Sequence, residues 1–478
     1  MYGKVFLIAV ITTLNAWVAP PNSFDGAVPT GPAQAANHGQ TGSPVPPGAA
    51  SGPGPQTSDL QLDSSEGPTG VIALREATAL ALARSPELGV FPYELREADA
   101  RILQAGLRPN PQLQVEVEEF GGRRERSGFD AAETTVQVGQ PIELGGKRAK
   151  RTRVASLDKD LVQWDYKSAR LDVLREVTRA FAAALAAQER LALAERLVEL
   201  SQRAQQAAAD RVRAGRDSPV DVLRADVALA ESRIERQKAE KTLTAARHSL
   251  AATWGGHTPA FQKVEGDFYQ TPAPRPPAEV TAAVGDNPDL ARWQTEEDKR
   301  RAALRLEKAR GVPDLTVGGG VRRFEQTDDE ALVFSLAVPL PLFDRNQGGI
   351  LGATAQLAKA HQQREAARVK TLAGLSEATS ALGAAYEEVT ILHTEVLPKA
   401  QTAFDAAQQG YRQGKFDYLH LLDSQRTLFQ TQMRYIDAVE TYHRARADVA
   451  RLTGRPLDTD RGGDLASPPV PEPSTQVK

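Results

Sequence analysis

This chain repeats itself. Ser85-Pro86-Glu87-Leu88 returns as Asn287-Pro288-Asp289-Leu290, and Pro111-Gln112-Leu113-Gln114-Val115 returns as Pro313-Asp314-Leu315-Thr316-Val317, each 202 residues later. Gln140-Pro141-Ile142-Glu143-Leu144 answers Val338-Pro339-Leu340-Pro341-Leu342 at 198 residues, and Gly215, Leu223 and Gly255 answer Gly414, Leu422 and Gly454 at 199. So small a drift marks the duplication of one unit with a minor change of loop length. The units span residues 71–256 and 285–454, and a fold must use both copies of one design.

Within each unit the apolar period changes from helical to alternating and back. Residues Ile72 to Leu107 are helical in composition, with a break at Ser85-Pro86, where proline suits the first turn of a new helix. Leu113, Val115 and Val117 then alternate with Gln112, Gln114, Glu116 and Glu118, the pattern of a strand with one apolar and one polar face. Strands are expected at about 112–120 and 133–141 in the first unit, and at about 314–323 and 331–339 in the second. From Lys147 to about Arg213 there is neither proline nor glycine. Val154, Leu157, Leu161, Trp164, Leu171 and Leu174 follow coiled-coil spacing there. A matching seam runs through Leu375, Leu382, Tyr386, Val389, Val396, Ala400, Ala407 and Tyr411. About 65 helical residues reach roughly 100 Å.

Composition removes several function classes. A net charge of −3 gives no electrostatic case for nucleic acid. The absence of cysteine excludes disulfides, thiolate metal sites, cysteine catalysis and an acylated N-terminal cysteine. The seven histidines are scattered, and no pair has the spacing of a helical metal site. No catalytic constellation and no cofactor are expected, so the chain does not read as an enzyme. Glycines 318–320 lack the lysine of a nucleotide loop and lie in an alternating strand.

Lys4 followed by the apolar run Val5 to Leu14 reads as an export signal within residues 1–35, too short for a membrane-spanning helix. A retained signal anchor is the competing reading. Residues 36–70 are rich in proline, glycine and serine and read as a disordered linker, as do residues 455–478 as a tail.

Four strands with one apolar face can be an ordinary sheet packed on helices or part of a membrane barrel. Four cannot close around a channel; three copies supply twelve, together with helices enough for a tube.

The helix–hairpin–helix duplication, the junction Gln140-Pro141-Ile142-Glu143-Leu144-Gly145-Gly146-Lys147-Arg148 and the turn motifs at Gly215 and Gly414 resemble the TolC-like outer membrane efflux proteins. The resemblance covers about residues 72–455, and the junction is most similar to the cobalt–zinc–cadmium (CzcC-like) heavy-metal branch. It implies a mainly α, mixed fold whose homotrimer forms a 12-stranded β-barrel in the outer membrane and an α-helical periplasmic tunnel. It also implies two partners, a periplasmic adaptor (membrane fusion protein) and a resistance-nodulation-division inner-membrane pump. The function implied is a passive exit duct for heavy-metal cations. The same channel serving drug efflux or type I protein secretion is one rival, and a periplasmic coiled-coil scaffold is another.

The resemblance also locates candidate sites. The turns carrying Gly215 and Gly414 match the family's periplasmic tip, where exposed Val220, Tyr418 and Leu419 would dock the adaptor. Asp423 and His420 fall where the family places gate carboxylates, the histidine being a departure. Asp221 and Tyr411 match residues of an inter-helix latch, and Phe416 stands where the family has an arginine. Three His420 imidazoles would switch charge near pH 6.5 or bind zinc transiently, against the plainer reading of a surface histidine. The basic run Lys147, Arg148, Lys150, Arg151 and Arg153 opens a helix where it would meet outer membrane lipid phosphates, or forms a solvated face.

Overall fold

Proline and glycine punctuate this chain where its elements end. The computed structural model describes residues 67–454; the export signal, residues 36–66 of the linker and the tail from residue 455 fall outside them. Strand β1 (Gly70–Ala73) leads into α1 (Leu74–Arg84), α2 (Pro86–Gly89) and α3 (Phe91–Gly106). The hairpin β2 (Gln112–Glu118) and β3 (Glu133–Ile142) follows, then α4 (Lys147–Arg213) and α5 (Pro219–Ala252). A connection with β4 (Phe261–Glu265) and α6 (Pro277–Ala282) reaches the second unit. That unit holds α7 (Pro288–Arg310), β5 (Leu315–Phe324), β6 (Asp329–Ala337) and α8 (Gln347–Ile391). A π-helical turn, Leu392–Val396, joins α8 to α9 (Leu397–Arg412), and α10 (Tyr418–Thr453) closes the fold.

Two corrections concern the start of the first unit. Gly70, assigned to the linker, and Ile72, assigned to a helix, belong to β1, which pairs in parallel with β4. Tertiary packing overrides local propensity here: Ile72 is fully buried with Val264, Phe261, Trp254, Val177 and Phe181. The alternating pattern shows only four strands, because β1 and β4 are too short to establish a period.

The four longer strands form one antiparallel sheet in the order β2-β3-β5-β6, so the two units meet at β3 and β5. Register places Leu113 beside Val138, Gly319 and Phe334 in one row, and Val115 beside Val136, Val321 and Leu332 in the next. Every residue in these rows except glycine is apolar and exposed, from 43% at Val321 to 90% at Leu332. The opposite face carries Gln112, Gln114, Gln137, Thr316 and Ser335, with Arg322 paired to Glu118 and Glu133. The outer edges of β2 and β6 have no strand partner among the described residues. At Gly320 a Cβ would lie 2.2 Å from the Val136 carbonyl oxygen, so glycine lets β5 approach β3 closely.

Beyond the sheet, α4 packs against α3, α5, α7 and α10, and α10 packs against α8 and α9. Away from the sheet the helices therefore run α5, α4, α10, α9. No helix among the described residues is long and apolar enough to cross a membrane. Arg451 is 9% exposed and staples three helices: it holds Asp172 of α4 at 2.8 Å and Asp289 of α7 at 2.8 Å, and donates to Ser168 at 2.8 Å. Desolvation opposes the Asp289 charge, but the guanidinium outweighs it and holds that carboxyl below its ordinary value.

The expected seams are buried at Leu157, Leu161, Leu375, Leu382, Val389, Ala400, Ala407 and Tyr411, and need correction elsewhere. Around α4 the core takes Val173, Val177 and Phe181, while Leu171 and Leu174 are only half-buried. In the second unit the seam leaves its heptad: Leu392 is buried and Val396 is 38% exposed. The π turn inserts one residue into the helical repeat and moves the buried face.

Candidate functional site

The two units end in the same turn. At the first, Gly215 (φ +68°) donates to Val212 O at 2.9 Å and Arg216 donates to Arg211 O at 2.9 Å. At the second, Gly414 (φ +72°) donates to Tyr411 O at 3.0 Å and Lys415 donates to Gly410 O at 2.9 Å. This is a Schellman stop, whose left-handed residue favours glycine. A capped helix restarts after each: Ser218 accepts from Val220 N with Pro219 in the first turn, and Asp417 accepts from His420 N.

A charged latch ties the two turns together. Arg211 Nε and Nη2 donate to the two oxygens of Asp217, each at 2.8 Å, and Arg211 Nη1 donates to Tyr411 O at 3.0 Å. The Tyr411 hydroxyl donates to Asp217 Oδ2 at 3.0 Å, and the Arg211 guanidinium lies 4.7 Å from the Tyr411 ring centroid. Bonds from Arg211 hold the Asp217 carboxyl below its ordinary range. Burial, with the Asp217 charge, pushes the Tyr411 phenol up, and burial raises Tyr418 to about 12. Below the latch lie Ala208, Ala225, Phe404, Leu421 and Leu428.

Several candidates take other places than expected. Tyr418 is 2% exposed and packs edge-on against Tyr411 at 5.9 Å, so it is core and no docking surface. Asp221 pairs with Arg224 in its own helix at 3.2 Å, and Tyr411 engages Asp217 instead. Val220 and Leu419 are about half exposed, and Asp423 is exposed. His420 is exposed, with Nδ1 on Asp417 and its ring stacked on Phe416.

Sequence reading missed Arg211 and Asp217. Neither spacing nor composition marks Arg211, because one of its partners, Tyr411, lies 200 residues away.

At the other end, the basic run is divided. Lys147 is buried and bonds Asp314 at 2.7 Å, Arg151 pairs with Glu143, and Lys150 donates to Gly145 O. Three of the five cations therefore secure the strand-to-helix junction, leaving Arg148 and Arg153 exposed.

A doubled hairpin-and-helix unit, with an exposed apolar sheet at one end and latched helical turns at the other, defines a mainly helical channel fold of TolC type. The chain belongs to the outer membrane efflux protein family, which matches it over residues 78–256 and 280–455, and it is an outer membrane protein. It is 35% identical over 386 residues to the cobalt-zinc-cadmium resistance protein CzcC of Cupriavidus metallidurans, across 81% of this chain and 91% of that one. It is 26% identical to the nickel-cobalt-cadmium resistance protein NccC of Alcaligenes xylosoxydans xylosoxydans, across 68% and 72%. The outer membrane protein VceC of Vibrio cholerae shares the fold with a TM-score of 0.66 at 17% identity, across 80% of this chain and 96% of that one.

Proposed function

We propose that this protein is the outer membrane exit duct of a tripartite efflux system for divalent heavy-metal cations. The observation that carries this reading is the four-stranded sheet, whose two central rows on one face are apolar and exposed and whose two outer edges have no strand partner among the described residues. An exposed apolar face of this extent suits lipid, not water. Free edges in a bilayer must be paired. Three copies, each joining its β6 edge to the β2 edge of the next, close a twelve-stranded barrel. The α5 and α9 flanks meet in the same way and continue the barrel as a tunnel through the periplasm.

The duct is passive, and an inner-membrane pump of the resistance-nodulation-division type supplies the drive through a periplasmic adaptor. The adaptor docks at the latched turns, where Val220 and Leu419 present apolar surface, and the latch among Arg211, Asp217 and Tyr411 holds the aperture closed until it does. Asp423 lies on the tunnel side of the tip and draws cations into it. The similarity to CzcC, whose name records resistance to cobalt, zinc and cadmium, supports metal cargo. Growth of a strain deleted for this chain, across graded zinc, cobalt, cadmium, nickel, copper and hydrophobic drugs, tests the reading. Selective hypersensitivity to divalent metals, reversed by complementation, is expected; sensitivity to drugs alone would replace the cargo and keep the channel.

A further inference from the structure

The junction between sheet and helices is strongly basic, although the whole chain has a net charge of −3. Four segments meet there, and bonds within one chain gather them. Lys147 Nζ and the Leu144 N–H both donate to Asp314 Oδ1, at 2.7 and 2.9 Å, joining the start of α4 to the start of β5. Arg151 donates to Leu107 O at 3.2 Å, and Asn346 donates to Glu307 O at 2.8 Å. Residues 107–112, 142–153, 305–314 and 338–347 thus share one level, and they hold ten lysines and arginines against four carboxylates. Those carboxylates are already engaged: Glu143 by Arg151, Asp314 by Lys147, Glu307 by Arg310 and Asn346, and Asp344 by the Asn346 N–H. Arg108, Arg148, Arg153 and Lys308 are exposed, and their side chains have no partner among the described residues. Exposed apolar side chains border them. Leu107 adjoins Arg108, Leu144 lies one helical turn before Arg148, and Leu340, Leu342 and Phe343 follow β6, with Phe343 90% exposed.

Apolar surface followed within a helical turn by uncompensated positive charge is the order in which a lipid leaflet presents acyl chain and then phosphate. We propose that this junction is a binding belt for anionic phospholipid in the periplasmic leaflet of the outer membrane. The inference rests on the membrane-spanning reading of the sheet given above. Arginine and lysine stems lie along apolar surface while their charged ends reach the phosphate level. The guanidinium fork of Arg108, Arg148 or Arg153 matches two phosphate oxygens at once. A zwitterionic headgroup brings its own ammonium and leaves the excess positive charge of the belt standing, whereas phosphatidylglycerol neutralises it. The belt therefore discriminates between headgroups as well as holding them. The pairs Lys147–Asp314 and Arg151–Glu143 build the frame, and the four free cations are the part of it that lipid completes. Bound lipid would fix the depth at which the helices leave the bilayer.

The test places the full-length protein in phosphatidylcholine bilayers containing a trace of phosphatidylglycerol or phosphatidylcholine spin-labelled on the acyl chain. Lipid held at the protein surface is read as the immobilised component of the electron paramagnetic resonance spectrum. The parent protein is expected to favour the phosphatidylglycerol label about fivefold, and the preference should fall as salt is raised. Combining Arg148→Gln, Arg153→Gln and Lys308→Gln should remove most of it with the circular dichroism spectrum unchanged. Arg216→Gln, an exposed cation at the opposite end, should leave it intact. Equal immobilisation of the two labels by the parent, a preference that survives the triple substitution, or an equal loss in Arg216→Gln overturns this inference alone. No immobilised component with either label overturns the membrane-spanning reading of the sheet and the inference with it.

Discussion

Asp217 is the residue on which the latch depends, since it alone accepts from both Arg211 and Tyr411. Both ionic side chains are mostly sequestered, 20% exposed at Arg211 and 10% at Asp217, so the pair is shielded from salt. Replacing Asp217 with alanine leaves a guanidinium without its counter-charge and should cost about 2–3 kcal/mol locally. In planar bilayers Asp217→Ala is expected to raise open probability and unitary conductance; channels indistinguishable from the parent would remove the latch. The pH dependence has a definite sign. The Asp217 carboxyl is held below 3.8, so its contribution is present above about pH 4 and is lost as pH falls through the lowered value. The Tyr411 phenol is held above 10.0, so its contribution is present below about pH 10 and is lost as pH rises through the raised value. Conductance should stay flat from about pH 5 to 9 and rise below 4; a step near neutrality would point to another group.

Among the elements, legibility in sequence follows from how local each determinant is. Alternation runs through most of the sheet's strands, and α4 runs uninterrupted between Gly146 and Ala214, so both show in the residue pattern. The π turn does not, because Leu392 and Val396 are equally apolar and only the packing of Ile436, Val439 and Tyr442 selects Leu392 for the core. The latch was legible as a place, through Gly215 and Gly414, but its chemistry was not, since pairing across the two turns leaves no trace in spacing. Lys147 reads as a surface cation for the same reason, since Asp314 lies 167 residues away, whereas Arg151 pairs with Glu143 only eight residues before it. The π turn supports a prediction at this scale. Deleting one residue from 393–395 should restore a continuous α-helix and keep both flanking faces in register, with a small effect on thermal stability by circular dichroism. A one-residue deletion at mid-α10 should turn the following face by about 100° and abolish folding. Equal losses from the two deletions would argue against an inserted residue.

For the whole molecule, the prediction concerns sidedness. Phe334 stands on the apolar face at 75% exposure, and Gln112 on the polar face. Arginine at 334 would face hydrocarbon at a cost of about 2–4 kcal/mol near the bilayer midplane, while lysine at 112 would face the aqueous lumen. Phe334→Arg should reduce the amount of assembled trimer in outer membranes, and Gln112→Lys should leave it unchanged. The reverse pattern would turn the sheet inside out.

The seam between the two units carries a consequence of its own. Strand β3 is the counterpart of β6, and β5 that of β2, so the β3–β5 pairing inside one chain uses the two strand types that its free edges present. In the trimer proposed above, each chain would contain a rehearsal of the contact it makes with its neighbours, and the ring of three would be quasi-sixfold at the sheet. A single ancestral unit could have closed the same ring as a hexamer. Fusing two units released them to diverge, and the divergence is visible: α4 is unbroken, whereas its counterpart is interrupted at Leu392–Val396. In such a trimer the six pillars would fall into two alternating sets of three, only one of which carries a joint.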